Sequence, residues 1–185
     1  MTLLALDSRW RRFNDETRAC PCCGQTFNGI FDLGYEHPEG WPHGQRDGGE
    51  TLIVGDDKMA TDLCRFDGRY FLRCVLALPV KGADDSLSFG PWAEVSGEVF
   101  QLYLTCLDDK EFPQSEGLLA NVLPLFEDAE QLPVTLQQKD PNQCPALSAA
   151  AGSLAEAQTS GISFDQLLDI YAAAGQDIRP HLTRD

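Results

Sequence analysis

The sequence predicts an α+β fold: an antiparallel sheet with packed helices, preceded by an N-terminal zinc-knuckle segment. Three observations predict it. Asp67-Gly68 stands between two strand-like runs, and a two-residue turn of this kind joins antiparallel strands because Gly tolerates the positive φ the turn demands. The strand-like runs then follow one another without the helical pattern that a parallel βαβ unit would place between them. The best-signalled helix comes late: Ser163 and Gln166 form a capping box ahead of a stripe of Phe164, Leu167, Leu168 and Tyr171.

In chain order, Leu6, Trp10 and Phe13 recur at helical spacing, and Asp7 or Ser8 can cap a short helix there. Residues 20–61 are rich in Gly, Pro, Asp and His and show no sustained periodicity. An irregular segment of that length needs a staple or a function to stay ordered. Leu63 to Phe66 form a short strand before the turn. After it, Tyr70, Leu72, Cys74, Leu76 and Leu78 share one face of a longer strand. "SLSFGPWAEVS" is a third strand, reached through "KGADD", with Gly90-Pro91 bending it or placing it at an edge.

Ser96 caps a helix whose stripe is Val99, Phe100, Tyr103, Cys106 and Leu107. "EGLLANVLPLF" is a short extended segment ended by Pro124, and "LPVTLQQ" and "CPALSAA" are further strands. Gly175 can terminate the late helix. The chain divides into residues 1–61, carrying the first helix, the knuckle and the irregular loop, and residues 62–185, carrying the α+β core. The two are expected to pack as one unit. Tyr70, Leu72, Leu76, Leu78, Tyr103, Leu167 and Tyr171 are the predicted core.

With 43% apolar residues in 185, the chain is not disordered by composition. Its formal net charge of −15 repels phosphate backbones, which argues against nucleic-acid binding. The same field suits a basic protein partner, and it also favours solubility. Asp7 precedes the first arginines, which follow the short apolar run, the reverse of a secretory leader. No apolar run approaches the ~20 residues that span a bilayer. The expectation is a cytoplasmic protein without membrane contact, of unspecified oligomeric state. In a reducing compartment, seven cysteines read as metal ligands or core residues before disulfides.

The densest chemistry is "CPCCG", residues 20–24. Two residues between Cys20 and Cys23 let both thiolates converge on one ion, and Gly24 can adopt positive φ and aim backbone N–H groups at sulfur. Packing alone is disfavoured, because adjacent Cys22 and Cys23 do not readily point into one core. A redox pair is also disfavoured: the motif neither follows a strand nor opens a helix, which is what depresses such a thiol's pKa. The remaining donors are drawn from His37, His43, Cys64 or Cys74. The two histidines lie in the Gly/Pro-rich segment, and Cys64 opens the first strand, where a ligand would tie knuckle to sheet. Cys74 and Cys106 fall on apolar stripes and read as core. The expected metal set is therefore Cys20, Cys23 and Cys64 with His37 or His43, holding zinc. Metal is expected to order the loop from 24 to 61.

Catalytic patterns are scarce. There is no H-E-x-x-H, no G-x-S-x-G and no phosphate-binding glycine loop. His181 is read as part of a frayed C-terminus. Asp56-Asp57, Asp84-Asp85 and Asp108-Asp109 are read as solvated turn or helix-end residues.

Several stretches are similar to those of one bacterial family: Cys20, Cys23 and Gly24; Asp62-Leu63-Cys64 through "YFLRCVLALPV"; "SFGPWAEVS"; "GLLANVLP"; and "GSLAEAQTSGI". In this order, from about Cys20 to Tyr171, they resemble the family known as domain of unknown function 2199. The resemblance implies no activity. It does imply that Cys64 belongs with the N-terminal pair. This chain departs from the pattern where the family's tryptophan is replaced near Leu118 and its late histidine is Ser153. Two functions fit these observations. The first is a non-enzymatic, zinc-stapled acidic module that binds a basic protein, as an immunity or regulator protein would. The alternative is a metal-dependent enzyme with three protein ligands and an open zinc position.

Overall fold

The structure is a computed structural model that describes residues 2–107 and 111–183, so the acidic pair Asp108-Asp109 lies outside the described residues. A single 3-10 turn leads into α1 (Ser8–Phe13), whose first turn is capped by Asp7 accepting from the Arg9 N–H at 2.8 Å. The strands that follow are β1 (Leu33–Gly34), β2 (Leu52–Val54), β3 (Asp57–Met59), β4 (Leu63–Phe66), β5 (Arg69–Arg73), β6 (Leu76–Pro79), β7 (Ser86–Gly90) and β8 (Trp92–Val95). Helix α2 (Gly97–Cys106) precedes β9 (Ser115–Leu119), β10 (Pro133–Gln137) and β11 (Ala146–Ala149). The described chain ends in α3 (Gly152–Ser160), α4 (Phe164–Ala173) and α5 (Arg179–Thr183). The fold is α+β.

Eight strands form one antiparallel sheet in the order β11-β10-β9-β8-β5-β4-β3-β2. A second sheet has the order β1-β7-β6, with β1 parallel to β7 and β6 antiparallel to it. The two long strands expected after the Asp67-Gly68 turn are each broken in the middle. Their first and second halves belong to different sheets: β5 pairs with β8, and β6 pairs with β7. The break falls where Pro91 has no N–H for the ladder. There the Cys74 N–H donates to the Pro91 carbonyl at 2.8 Å and the ribbon turns a corner. Val75, freed from the ladder, pairs instead with the β11 side: its N–H donates to Pro145 O at 2.9 Å, and it accepts from the Leu147 N–H at 2.8 Å. The bend thus stitches the sheets together, as expected where strands switch sheets.

Register assigns the two faces of the large sheet. Leu72 lies opposite Ala93, and Tyr70 opposite Val95; with Leu76, Leu78, Phe100, Tyr103, Leu167 and Tyr171 these side chains enter the main core. The predicted core residues are buried apart from Tyr70, which is half-buried. Phe71 points the other way and is also fully buried, in a second cluster with Trp41, Met59, Cys64, Phe66 and Trp92.

That second cluster changes the account of the long irregular segment. Its end is not irregular, because β2 and β3 continue the large sheet. Its middle is ordered by Trp41, which plugs the open face of β3–β5 at 6% exposure and meets the Phe66 ring edge-on. Hydrogen bonds to backbone carbonyls fasten the plug. Trp92 Nε1 donates to Tyr35 O at 3.1 Å, Asn121 Nδ2 to His37 O at 3.0 Å, and the Glu39 N–H to Ala120 O at 2.8 Å. The burial of Trp41 and these bonds give residues 35–47 a source of order of their own.

The helices read from Ser96 and Ser163 form, but of the expected α2 stripe only Phe100 and Tyr103 are buried, and Leu107 is 55% exposed. Ser96 Oγ accepts from the Val99 N–H, and Ser163 with Gln166 closes a capping box at α4. Helix α3 had no amphipathic signal, since Leu154 is its one buried residue. No helix among the described residues is long and apolar enough to cross a membrane.

Leu76→Ala should cost about 2–5 kcal/mol in denaturant unfolding, from lost transfer energy and a residual cavity. Trp41→Ala should accelerate hydrogen exchange across 35–47 while β5 and β8 keep their protection. Simultaneous loss of both would show that the plug and the main core are one cooperative unit.

Candidate metal centre

The knuckle is a tight hairpin. The Cys20 N–H donates to Gln25 O and the Gly24 N–H to Cys20 O, both at 2.8 Å, and Ala19 pairs with Thr26. Gly24 sits at φ 74°, the positive value its position after the cysteines predicts. The turn is short enough that all three thiols converge, with Cys20 buried and Cys22 and Cys23 exposed.

A fourth donor arrives from the other end of the chain. His181 Nδ1 lies 3.2 Å from Cys20 Sγ, 3.7 Å from Cys22 Sγ and 3.5 Å from Cys23 Sγ. The Cys20 and Cys22 sulfurs are 3.0 Å apart, and the four donor atoms all lie within 4.8 Å of one another. Three soft thiols and an imidazole converging on one point are a donor set that can hold one metal ion. It is the one such group among the described residues.

Helix α5 carries His181, and sequence features explain its docking. Asp177 Oδ1 accepts from the Arg179 N–H and caps the turn. Ile178 and Leu182, four residues apart, are buried on one side. Arg12 Nη1 donates to Leu182 O at 2.8 Å and Arg18 Nη1 to His181 O at 3.2 Å, which ties the helix to the residues before the knuckle. Phe27, just after the hairpin, packs on the His181 ring at 5.9 Å and on Phe13 at 6.2 Å. Phe13 in turn meets Phe164 and Tyr171 of α4. An aromatic cluster thus holds both halves of the site in register. Beside it, residues 25–31 and 175–178 with His181 line a cleft of about 580 Å³.

The electrostatics follow from the contacts. The Cys22 thiol, then the Cys22 backbone N–H, then His181 hydrogen-bond to Cys20 and hold its thiol down at about 6. The same contact with Cys20 pushes the Cys22 thiol up.

The expected ligand set is thus redistributed. Cys20 and Cys23 are together, joined by Cys22 and His181, while Cys64, His37 and His43 lie elsewhere. Cys64 is 1% exposed in the second apolar cluster, where burial first and the Asp57 charge second push its thiol up to about 12. His43 Nε2 is 2.7 Å from Asp57 Oδ2, edge-on to the Trp41 ring. His37 Nδ1 donates to Pro38 O at 3.0 Å. These three belong to the Trp41 plug. Reading Cys22 as the mere neighbour of a C-x-x-C pair hid one donor, and reading the C-terminus as frayed hid the other. The overlooked signal was Asp177 as a cap followed by Ile178 and Leu182 at helical spacing.

An α+β chain whose knuckle and last helix assemble three cysteines and a histidine is, by class, a candidate metal-binding protein. It belongs to the family described as an uncharacterized protein conserved in bacteria (DUF2199), whose model matches residues 19–162. The match includes the three cysteines and ends before His181. No curated protein and no solved structure matches the chain.

His181→Ala should weaken metal binding by more than about 100-fold, beyond the range seen when only a supporting residue of a metal site is lost. His37→Ala and His43→Ala should leave the metal content per folded chain unchanged. Equilibrium competition with a chromogenic chelator measures both, and a metal-free His43→Ala protein would restore the ligand set read from the sequence.

Proposed function

We infer that the cluster is a structural zinc site and that this chain is a zinc-stapled acidic module that binds a basic protein, in the manner of an immunity or regulator protein. The observation that carries the zinc reading is the count and spacing of donors. A tetrahedral zinc about 2.3 Å from sulfur and about 2.0–2.1 Å from nitrogen sets sulfur and nitrogen about 3.6 Å apart. The three sulfur–nitrogen separations here are 3.2, 3.7 and 3.5 Å. Zinc would require the Cys20–Cys22 pair, at 3.0 Å, to open by less than about 1 Å. Four protein donors fill the coordination sphere and leave no position for a substrate, which supports a structural role over catalysis. The site joins the hairpin at residues 20–24 to helix α5, as a staple does.

The partner reading rests on charge. With 29 acidic against 14 basic residues, the long-range field attracts a basic surface and rejects a phosphate backbone. One feature favours the alternative of a metal-dependent enzyme: the cleft that His181 lines gives a small molecule access to the edge of the site.

X-ray absorption on the purified chain should give about one zinc, bound by three sulfurs and one nitrogen. A light oxygen donor in place of a sulfur or of the imidazole would overturn the structural reading and favour the enzyme. Affinity for any purified basic partner should fall steeply between low and high salt, and salt-independent binding would remove charge as the basis of recognition.

A further inference from the structure

The four donors are unequal in one respect that a closed structural site does not need. Cys22 and Cys23 are exposed, whereas Cys20 is buried. With the metal bound all three sulfurs are thiolates, and an exposed thiolate meets oxidants first. The exposed Cys22 sulfur also lies 3.0 Å from the sulfur of buried Cys20, whereas a disulfide needs about 2.05 Å. Two residues apart in a hairpin turn, the pair closes with a shift of about 1 Å from this spacing, or under about 2 Å from a zinc-bound one. The other cysteines have no such arrangement: Cys64 and Cys74 are buried, and Cys106 and Cys144 are half-buried and remote from this group.

We propose that Cys22 is an oxidation site that pairs with Cys20, so that hydroperoxides eject the metal and free the C-terminal segment from the knuckle. The release step rests on the reading of the cluster as a metal centre. The Cys22 sulfur attacks one oxygen of the hydroperoxide; a sulfur–oxygen bond forms, the oxygen–oxygen bond breaks, and the other oxygen leaves as water or alcohol after taking a proton. The Cys20 sulfur then attacks Cys22; the disulfide forms, the sulfur–oxygen bond breaks, and hydroxide leaves as water. Two thiolates supply the two electrons that reduce the hydroperoxide, and the metal departs as the unchanged divalent cation. Only Cys23 and His181 remain, half of a tetrahedral set.

The structural consequence falls on α5. Five residues are too few to hold a helix alone. Without the ion, α5 keeps the buried Leu182 side chain and the Arg12 and Arg18 bonds to its carbonyls. It loses the metal tie to the hairpin, and the Phe27 ring against His181 is left to join it to that wall of the 580 Å³ cleft. Oxidation at one exposed sulfur would therefore loosen residues 176–183 and widen that cleft.

The test uses the full chain loaded with zinc and titrated with hydrogen peroxide. Zinc release is read with a chelating dye, thiols by alkylation and mass spectrometry, and residues 176–183 by hydrogen exchange. The expected result is two thiols lost per zinc released, a peptide linking Cys20 to Cys22, faster exchange at 176–183, and recovery with dithiothreitol plus zinc. Cys23→Ser should still form the Cys20–Cys22 link, and Cys22→Ser should slow disulfide formation within the knuckle by tenfold or more. Both variants are assayed metal-free, so that weakened loading does not matter. Zinc retained at peroxide concentrations that oxidise Cys106, or zinc lost with sulfinic acid in place of the disulfide, would overturn the proposal. A chain that takes up no zinc would defeat the metal reading and the release step with it. The disulfide assay on that metal-free chain would still accept or reject the Cys20–Cys22 pair.

Discussion

The hydrogen bond from the Cys74 N–H to the Pro91 carbonyl marks the constraint on which both sheets depend. A proline opposite Cys74 cannot continue the ladder, so one long antiparallel ribbon becomes two strand pairs that diverge into different sheets. Everything downstream accommodates that bend. Val75 finds partners at 145–147, which brings β11 to the corner. The main core fills the space around the two sheets, with α2 and α4 packed into it. The far face of β3–β5 is left open by the same geometry, and Trp41 covers it.

The local signals in the sequence were sufficient for the local structure. The Asp67-Gly68 hairpin, the Ser96 cap and the Ser163–Gln166 box each depend on residues within a few positions of one another, and each formed as read. The bend was half legible: Gly90-Pro91 announced an interruption, but not that the strand beyond it would change sheets. Phe71 shows why. The alternation Tyr70-Leu72-Cys74 looked complete as a buried face, and nothing nearby in sequence said that the opposite face would be covered too. The cover comes from Trp41, thirty residues earlier, in a segment with no periodicity to reveal it.

The metal centre was legible at its local end only. Gly24 and the cysteine spacing announce a knuckle because three donors lie within four residues. The imidazole is 161 positions away from Cys20, and no spacing rule reaches that far. The nearer histidines suggest themselves in sequence because the loop around them shows no other reason for order. The apolar plug supplies that reason, so His43 is free to bond Asp57 and Cys64 to remain a buried thiol. A segment without periodicity in its sequence thus still contributes to a core.

The pairing of residue 20 with residue 181 also sets a schedule for biosynthesis. Chains emerge from the ribosome N-terminus first, and domains begin folding as they appear. The three thiols are made at least 158 residues before the imidazole that completes the set. A nascent chain therefore carries an incomplete donor cluster until that residue is added, after the sheets and α4 have been made. Closure of this cluster follows the synthesis of both sheets, so a chain that has closed it has already been read through α4.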